Sequence, residues 1–137
     1  DTIIKGGGVK YYFKDHSYDP ELHSFQMNGR KLLKLAKREM NNFTDDFFND
    51  IDYSMDDVDI VVPHQASKIG LELFKKMYSI DAGKIMSNIE SHGNCIAASI
   101  PLIIHQSIHQ NKLKRGDLCL LIGTSAGFSI GASLFRY

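Results

Sequence analysis

Val58-Asp59-Ile60-Val61-Val62-Pro63-His64-Gln65-Ala66 is the stretch on which the fold turns. Val58, Ile60, Val61 and Val62 form a short apolar run rich in β-branched residues, the signature of a strand buried on both faces. Pro63 ends it, because proline has no N–H to give to a strand ladder. A polar pair, His64-Gln65, then sits at the carboxyl end of that strand.

Reading outward from this strand, residues 25–50 carry Leu32, Leu33, Ala36, Met40 and Phe43 at helical spacing, with Lys31, Lys34, Lys37 and Arg38 mostly on the opposite side. Residues 66–78 fit a second helix, with Ile69, Leu73, Phe74 and Met77 inward. Lys84 to Ile89 can form a short strand, and Ser91-His92-Gly93-Asn94 reads as a loop. Residues 95–110 read as a third helix whose first half is apolar all round, which predicts burial on every side. Pro101 either belongs to its early turns or kinks it. After a turn at Lys114-Arg115-Gly116-Asp117, Leu118 to Ile122 is a buried strand. Gly123-Thr124-Ser125-Ala126-Gly127 is a tight loop, and Phe128 to Arg136 a closing strand. Ahead of all this, residues 1–24 read as irregular, although Val9 to Phe13 can form a short strand. Strands separated by helices predict an α/β fold: a mixed, mostly parallel five-stranded sheet with helices on both faces and an antiparallel final pair.

The chain has 137 residues, enough for one compact domain, and 43% of them are hydrophobic, enough for a core. Lys+Arg and Asp+Glu are both 16, a balance that argues against a duplex nucleic-acid binder. Cys95 and Cys119 both lie in or beside apolar runs; buried thiols fit a reducing compartment, and a cytoplasmic location is expected. No apolar run is long enough to span a bilayer, and no signal peptide is visible. The first residue is Asp1, which fits excision from a longer protein, with residues 1–24 as the tail of something upstream and 25–137 as the domain.

In open α/β sheets, functional groups collect beyond the carboxyl ends of parallel strands. His64 lies there, as do Asn94 and the Gly123–Gly127 loop, so three loops converge at one edge if the strands are parallel neighbours. Both His64 and Asn94 can donate hydrogen bonds to an oxygen that becomes negative. Gly93 frees the backbone to present Asn94 in an unusual conformation. A strand-end histidine also serves as a loop residue bonded to backbone, and Asn94 after glycine is an ordinary turn signal; the residues alone leave both readings open. His105 and His109 share one helix face but lack the glutamate of a zinc-binding H-E-x-x-H run, so a polar helix end is preferred to a metal site. Cys95, beside Asn94, is followed by apolar residues that suggest burial rather than reactivity.

With these residues in view, the chain resembles the C-terminal half of beta-ketoacyl-acyl-carrier-protein synthase III, in the thiolase superfamily. Four stretches carry the match: FQMNGRKLLKLA, DIVVPHQAS, NIESHGNCIAASIP and KRGDLCLLIGTSAGFSIGASLFRY. The resemblance implies a thiolase-like half whose active site forms where two similar halves meet. It implies a Cys-His-Asn triad, with His64 and Asn94 as two members and the cysteine in an N-terminal half. Ala126 then offers a backbone N–H to an oxyanion, and Gly29 and Ser67 fall at substrate-binding positions. The implied reaction moves an acyl group from coenzyme A to the cysteine and condenses it with a malonyl unit on acyl carrier protein, in fatty acid biosynthesis. The coenzyme A thioester is a substrate; no cofactor is held permanently, and no metal is implied.

Three departures from the family pattern stand out. Ser67 replaces an asparagine that helps hold the pantetheine arm. Ile69 stands where a basic residue helps dock the carrier protein, and Thr124 replaces an aromatic. Lacking the nucleophile, the 137-residue chain alone is expected to be inactive and, with its apolar face exposed, to self-associate; the intact family forms homodimers. Competing readings are a non-catalytic thiolase-fold subunit paired with an active partner, and a secondary-metabolite ketosynthase.

Overall fold

The structure, a computed structural model, describes residues 2–12, 14–15, 17–125 and 127–137. Its centre is built by strand pairing. β1 (Thr2–Ile3) pairs antiparallel with β2 (Gln26–Met27) in a small ladder at one side. The helix α1 (Gly29–Asn49) follows, started by Asn28, whose Oδ1 accepts the N–H of Lys31 at 3.0 Å. β3 (Ile60–Pro63) is buried at all four residues. α2 (Lys68–Met77) begins at Ser67, whose Oγ accepts the N–H of Gly70 at 3.1 Å. The short helix α3 (Ile89–His92) ends at Gly93, and a 3-10 turn (Ile96–Ala98) leads into α4 (Ser99–His109). β4 (Leu118–Ser125) and β5 (Ser129–Arg136) close the chain.

β3 runs parallel to β4, with Ile60 opposite Cys119 and Pro63 opposite Ile122. β5 returns antiparallel to β4 from Ser129 to Arg136. On the far side of β3, Ile85 forms a parallel bridge with Val61; Val61 N donates to Lys84 O at 2.8 Å, and Met86 N to Val61 O at 2.9 Å. Helices cover both faces. Met40 of α1 and Phe74 of α2 pack with Val61, Leu120 and Ile122. Ile103 of α4 packs with Ile60, Val62 and Cys119 on the other face.

The mixed α/β class and the two helix-covered faces agree with the sequence reading, as does the antiparallel final pair. The strand count is smaller: the central sheet has three strands, β3-β4-β5. The stretch from Lys84 onward bonds β3 only around Ile85 and then turns into α3, because its next backbone N–H groups go to a side chain rather than to a strand. Tyr11 bridges Gly7 rather than extending a strand across Val9–Phe13, and Phe13 lies outside the described residues. The expectation for the third helix is also corrected. Only Ser99, Ile103 and Ser107, one stripe at four-residue spacing, are buried in α4. Ile96 is 76% exposed, and Ala97, Ala98 and Pro101 are exposed as well. The reason is geometric: the helix has a sheet on one side only.

Candidate active site

His64 is placed by strand register. Its N–H donates to Ile122 O at 2.8 Å, carrying the β3–β4 ladder one residue past Pro63. Gly123, the next residue of β4, lies so close that a Cβ there would stand 2.8 Å from the Cβ of His64. Glycine at 123 is therefore a packing requirement. The imidazole is half-buried, and the loss of water around it lowers its pKa below the ordinary 6.5. Near neutral pH the ring is uncharged and keeps one N–H to donate. Among the described residues no hydrogen bond is made to that ring.

His64 stands in the wall of a cavity of about 420 Å³ between α1, α2 and β4. Gly29, Ser67, Gly123, Thr124 and Phe128 share the wall, and Leu33, Leu71 and Phe74 make much of the rest apolar. The structure thus places His64, Ser67 and Gly29 in one cavity wall. Ser67 has a structural duty too, since its hydroxyl oxygen caps α2; its own proton is left to donate.

Asn94 is not in that wall. It is exposed, and its Oδ1 accepts the N–H of Ile96 at 2.8 Å. That bond fixes the carboxamide orientation and leaves the Nδ2 protons facing away as donors. Gly93 has φ 66° and ψ −152°, a conformation open to glycine alone, as expected from its place before Asn94. Among the described residues no hydrogen bond joins His64 to Asn94. Ala126 lies outside the described residues; its neighbours Gly127 (φ 82°) and Phe128 (φ 58°) form the left-handed tip of the β4–β5 hairpin.

The two thiols differ. Cys119 is fully buried and its pKa is pushed up to about 11 by desolvation, with Asp117 adding to the effect, so it is inert. Cys95 is only half-buried, contrary to the burial read from the apolar residues after it, because those residues themselves lie exposed. Its Sγ approaches His92 O at 3.5 Å. His105 and His109 lie with ring centroids 4.3 Å apart on the exposed side of α4. No group of three or more metal-ligating side chains gathers among the described residues. No described helix is long and apolar enough to cross a membrane.

Gln65 is the residue that sequence reasoning missed. Its side chain is wholly buried, and it makes four hydrogen bonds to Ser87, Asn88 and Ile89. Glutamine is usually exposed; its place directly after a buried strand is the one signal that could have marked it.

A parallel β3–β4 pair with an antiparallel β5, helices on both faces and a histidine at the end of β3 define a thiolase-like α/β domain. The profile of a family described as "3-Oxoacyl-[acyl-carrier-protein (ACP)] synthase III C terminal" matches residues 48–137. The chain belongs to that family. It is 39% identical over 112 residues to a beta-ketoacyl-[acyl-carrier-protein] synthase III of Prochlorococcus marinus, a match covering 82% of this chain and 33% of the relative. The crystal structure of 3-oxoacyl-[acyl-carrier-protein] synthase III from Aquifex aeolicus superposes with a TM-score of 0.78 at 35% identity, over 84% of this chain and 37% of that one. The Pseudomonas aeruginosa 3-oxoacyl-(acyl carrier protein) synthase III, at 24% identity, shares the fold, with a TM-score of 0.80 over 99% of this chain and 39% of that one. The chain spans roughly a third to two fifths of the length of the curated relatives it matches.

Proposed function

We propose that this chain is the C-terminal part of a condensing acyltransferase, in which His64 and Asn94 stabilise the enolate of a malonyl thioester. The half-buried, uncharged His64 at the edge of an apolar cavity carries this reading. A charged imidazole would protonate the carbanion carbon; a neutral one offers a hydrogen bond to the oxygen and leaves the carbon free to attack.

The reaction runs in two steps. A cysteine thiolate, supplied by an N-terminal half of the protein continuing into residues 1–24, attacks an acyl-coenzyme A carbonyl, and coenzyme A leaves as its thiolate, which takes a proton from water. A malonyl unit on acyl carrier protein then loses carbon dioxide, and its electron pair passes into an enolate. His64 N–H and Asn94 Nδ2–H donate to the enolate oxygen. The enolate carbon attacks the acyl-cysteine carbonyl, the sulfur leaves as thiolate, and a 3-oxoacyl thioester remains. A backbone N–H of the Gly123–Gly127 loop, at Ala126, serves the acyl carbonyl. Ser67 and Gly29 flank the thioester arm. The exposed Ile96, Ala97 and Ala98 beside Asn94 suit a surface covered by that other half. This reading makes the intact protein a homodimer and leaves the 137-residue chain inactive by itself.

The test uses the full-length protein with His64→Ala and Asn94→Ala. Acyl transfer to the cysteine should survive, while malonyl decarboxylation should fall about 10²–10³-fold, the usual loss on removing one oxyanion donor. Equal losses in both steps, or none, would overturn the assignment.

A further inference from the structure

Gln65 follows His64 directly, yet it faces the loop that leads to Asn94. A buried carboxamide is costly unless both of its ends are bonded. Here both are. Oε1 accepts from Ser87 Oγ at 2.6 Å, Asn88 N at 2.9 Å and Ile89 N at 3.0 Å. Nε2 donates to Asn88 Oδ1 at 2.6 Å. The backbone bonds between β3 and the neighbouring segment stop at Met86. Beyond that point the side-chain oxygen of Gln65 takes the place a strand carbonyl would have, and receives the next two free N–H groups.

The bonding continues outward. Asn88 Nδ2 donates to Gln106 Oε1 at 2.8 Å, Gln106 Nε2 approaches His92 Nε2 at 3.5 Å, and His92 Nδ1 meets Ser91 Oγ at 2.8 Å. Each amide here has one favourable orientation, since turning any one of them sets like groups against each other. Asn88 precedes α3 and Gly93 ends it, so α3 is a short rigid step from the Gln65 clamp to Asn94. The exposed Lys68–Glu90 ion pair spans the same gap, but surface pairs of this kind hold geometry weakly.

We propose that Gln65 is a positioning residue: its carboxamide fixes the loop presenting Asn94 relative to His64. The proposal rests on the reading of His64 and Asn94 given above. Since those two residues share no direct bond, their relative placement passes through β3, Gln65 and α3. Removing the clamp misplaces one of two oxyanion donors and leaves the acyl-transfer step, which does not use them, in place.

The experiment compares Gln65→Met, Gln65→Glu and His64→Ala in the full-length protein, measuring acyl transfer and malonyl-thioester decarboxylation separately. Gln65→Met should lose about 100-fold in decarboxylation, the scale expected for a displacement near 1 Å, with acyl transfer retained. Gln65→Glu keeps an oxygen for Ser87, Asn88 and Ile89, and Asn88 and Gln106 can turn their amides together, so that Asn88 Nδ2 meets the second oxygen, Gln106 Nε2 meets Asn88 Oδ1 and Gln106 Oε1 meets an N–H of His92; it should recover most of the rate. If Gln65→Met lowers both steps together, or neither, Gln65 does not position the site. If His64→Ala leaves decarboxylation intact, the site reading itself falls, and the positioning role with it. If only His64→Ala abolishes decarboxylation, the positioning role alone falls. Should Gln65→Met not fold, Gln106→Ala breaks the same series one link further out and should show the same split; no split there overturns the proposal.

Discussion

Gly123 offers the most direct probe of how His64 is seated. An alanine Cβ at 123 would lie 2.8 Å from His64 Cβ, 3.8 Å from its Cγ and 3.9 Å from its Cα. Ordinary contact begins near 3.4 Å, so about 0.6 Å must open between them. The obstacle is the stem of the histidine rather than its tip, and His64 N is held to Ile122 O at 2.8 Å by the adjoining residue of the same strand. The strain therefore falls on the β3–β4 spacing or on the His64 rotamer. Overpacking of this kind costs about 1–3 kcal/mol, with Gly123→Ala expected near the lower figure and Gly123→Val near the upper. Urea unfolding of the full-length protein measures the stability series. Under the proposed function, malonyl-thioester decarboxylation measures the displacement of the ring, and is expected to fall progressively to about 100-fold at Val. A flat series, with Val equal to wild type in both measurements, would refute the argument that Gly123 makes room for His64.

Three further outcomes follow from the packing and the titrating groups. Ile103→Ala, at a side chain 2% exposed under the sheet, should lower unfolding free energy by about 2–5 kcal/mol in denaturant titration. Because burial lowers the His64 pKa below 6.5, the unfolded chain binds the extra proton first as pH falls. This residue's contribution to stability is therefore complete above 6.5 and is lost as pH drops through the lower folded value, and under the proposed function decarboxylation should show its acid limb in that window; a limb above 6.5 assigned to His64 would contradict it. With Cys119 at about 11, only about one thiol in a thousand is ionised at pH 8, so iodoacetamide followed by peptide mapping should modify Cys95 and spare Cys119 until the protein unfolds.

The central architecture was legible where sequence and packing say the same thing. The run ending at Pro63 and the apolar Leu118–Ile122 segment are buried strands because β-branched and aliphatic residues there have neighbours on both faces. His64 was legible for the same reason, since a polar residue at the end of such a strand has few other places to go. Legibility failed where one side chain replaces backbone. Gln65 takes up the N–H groups that would have prolonged a strand beyond Ile85, so the 84–89 segment reads as extended but turns into α3. It failed again at Ile96–Pro101, where an apolar composition promised burial but only one stripe of α4 meets the sheet. The engagement of the Asn94 carboxamide by Ile96 N–H is a local turn bond two residues on, the turn reading that an asparagine after glycine announces; what the spacing does not give is its place outside the cavity wall of His64.

The register of the central sheet also dictates an order of assembly. β4 and β5 are neighbours in sequence and can zip as a hairpin within about 1–10 μs. β3 must instead wait for Ile60 to find Cys119 across the helices between them, a closure that is slow because the entropy of the long loop is lost before any contact rewards it. On the ribosome, His64 consequently has no anchored position until Ile122 has been synthesised and has emerged. Substitutions that weaken the late hairpin should therefore delay maturation of the histidine's surroundings far more than they disturb α1, which can wind up as soon as it is made.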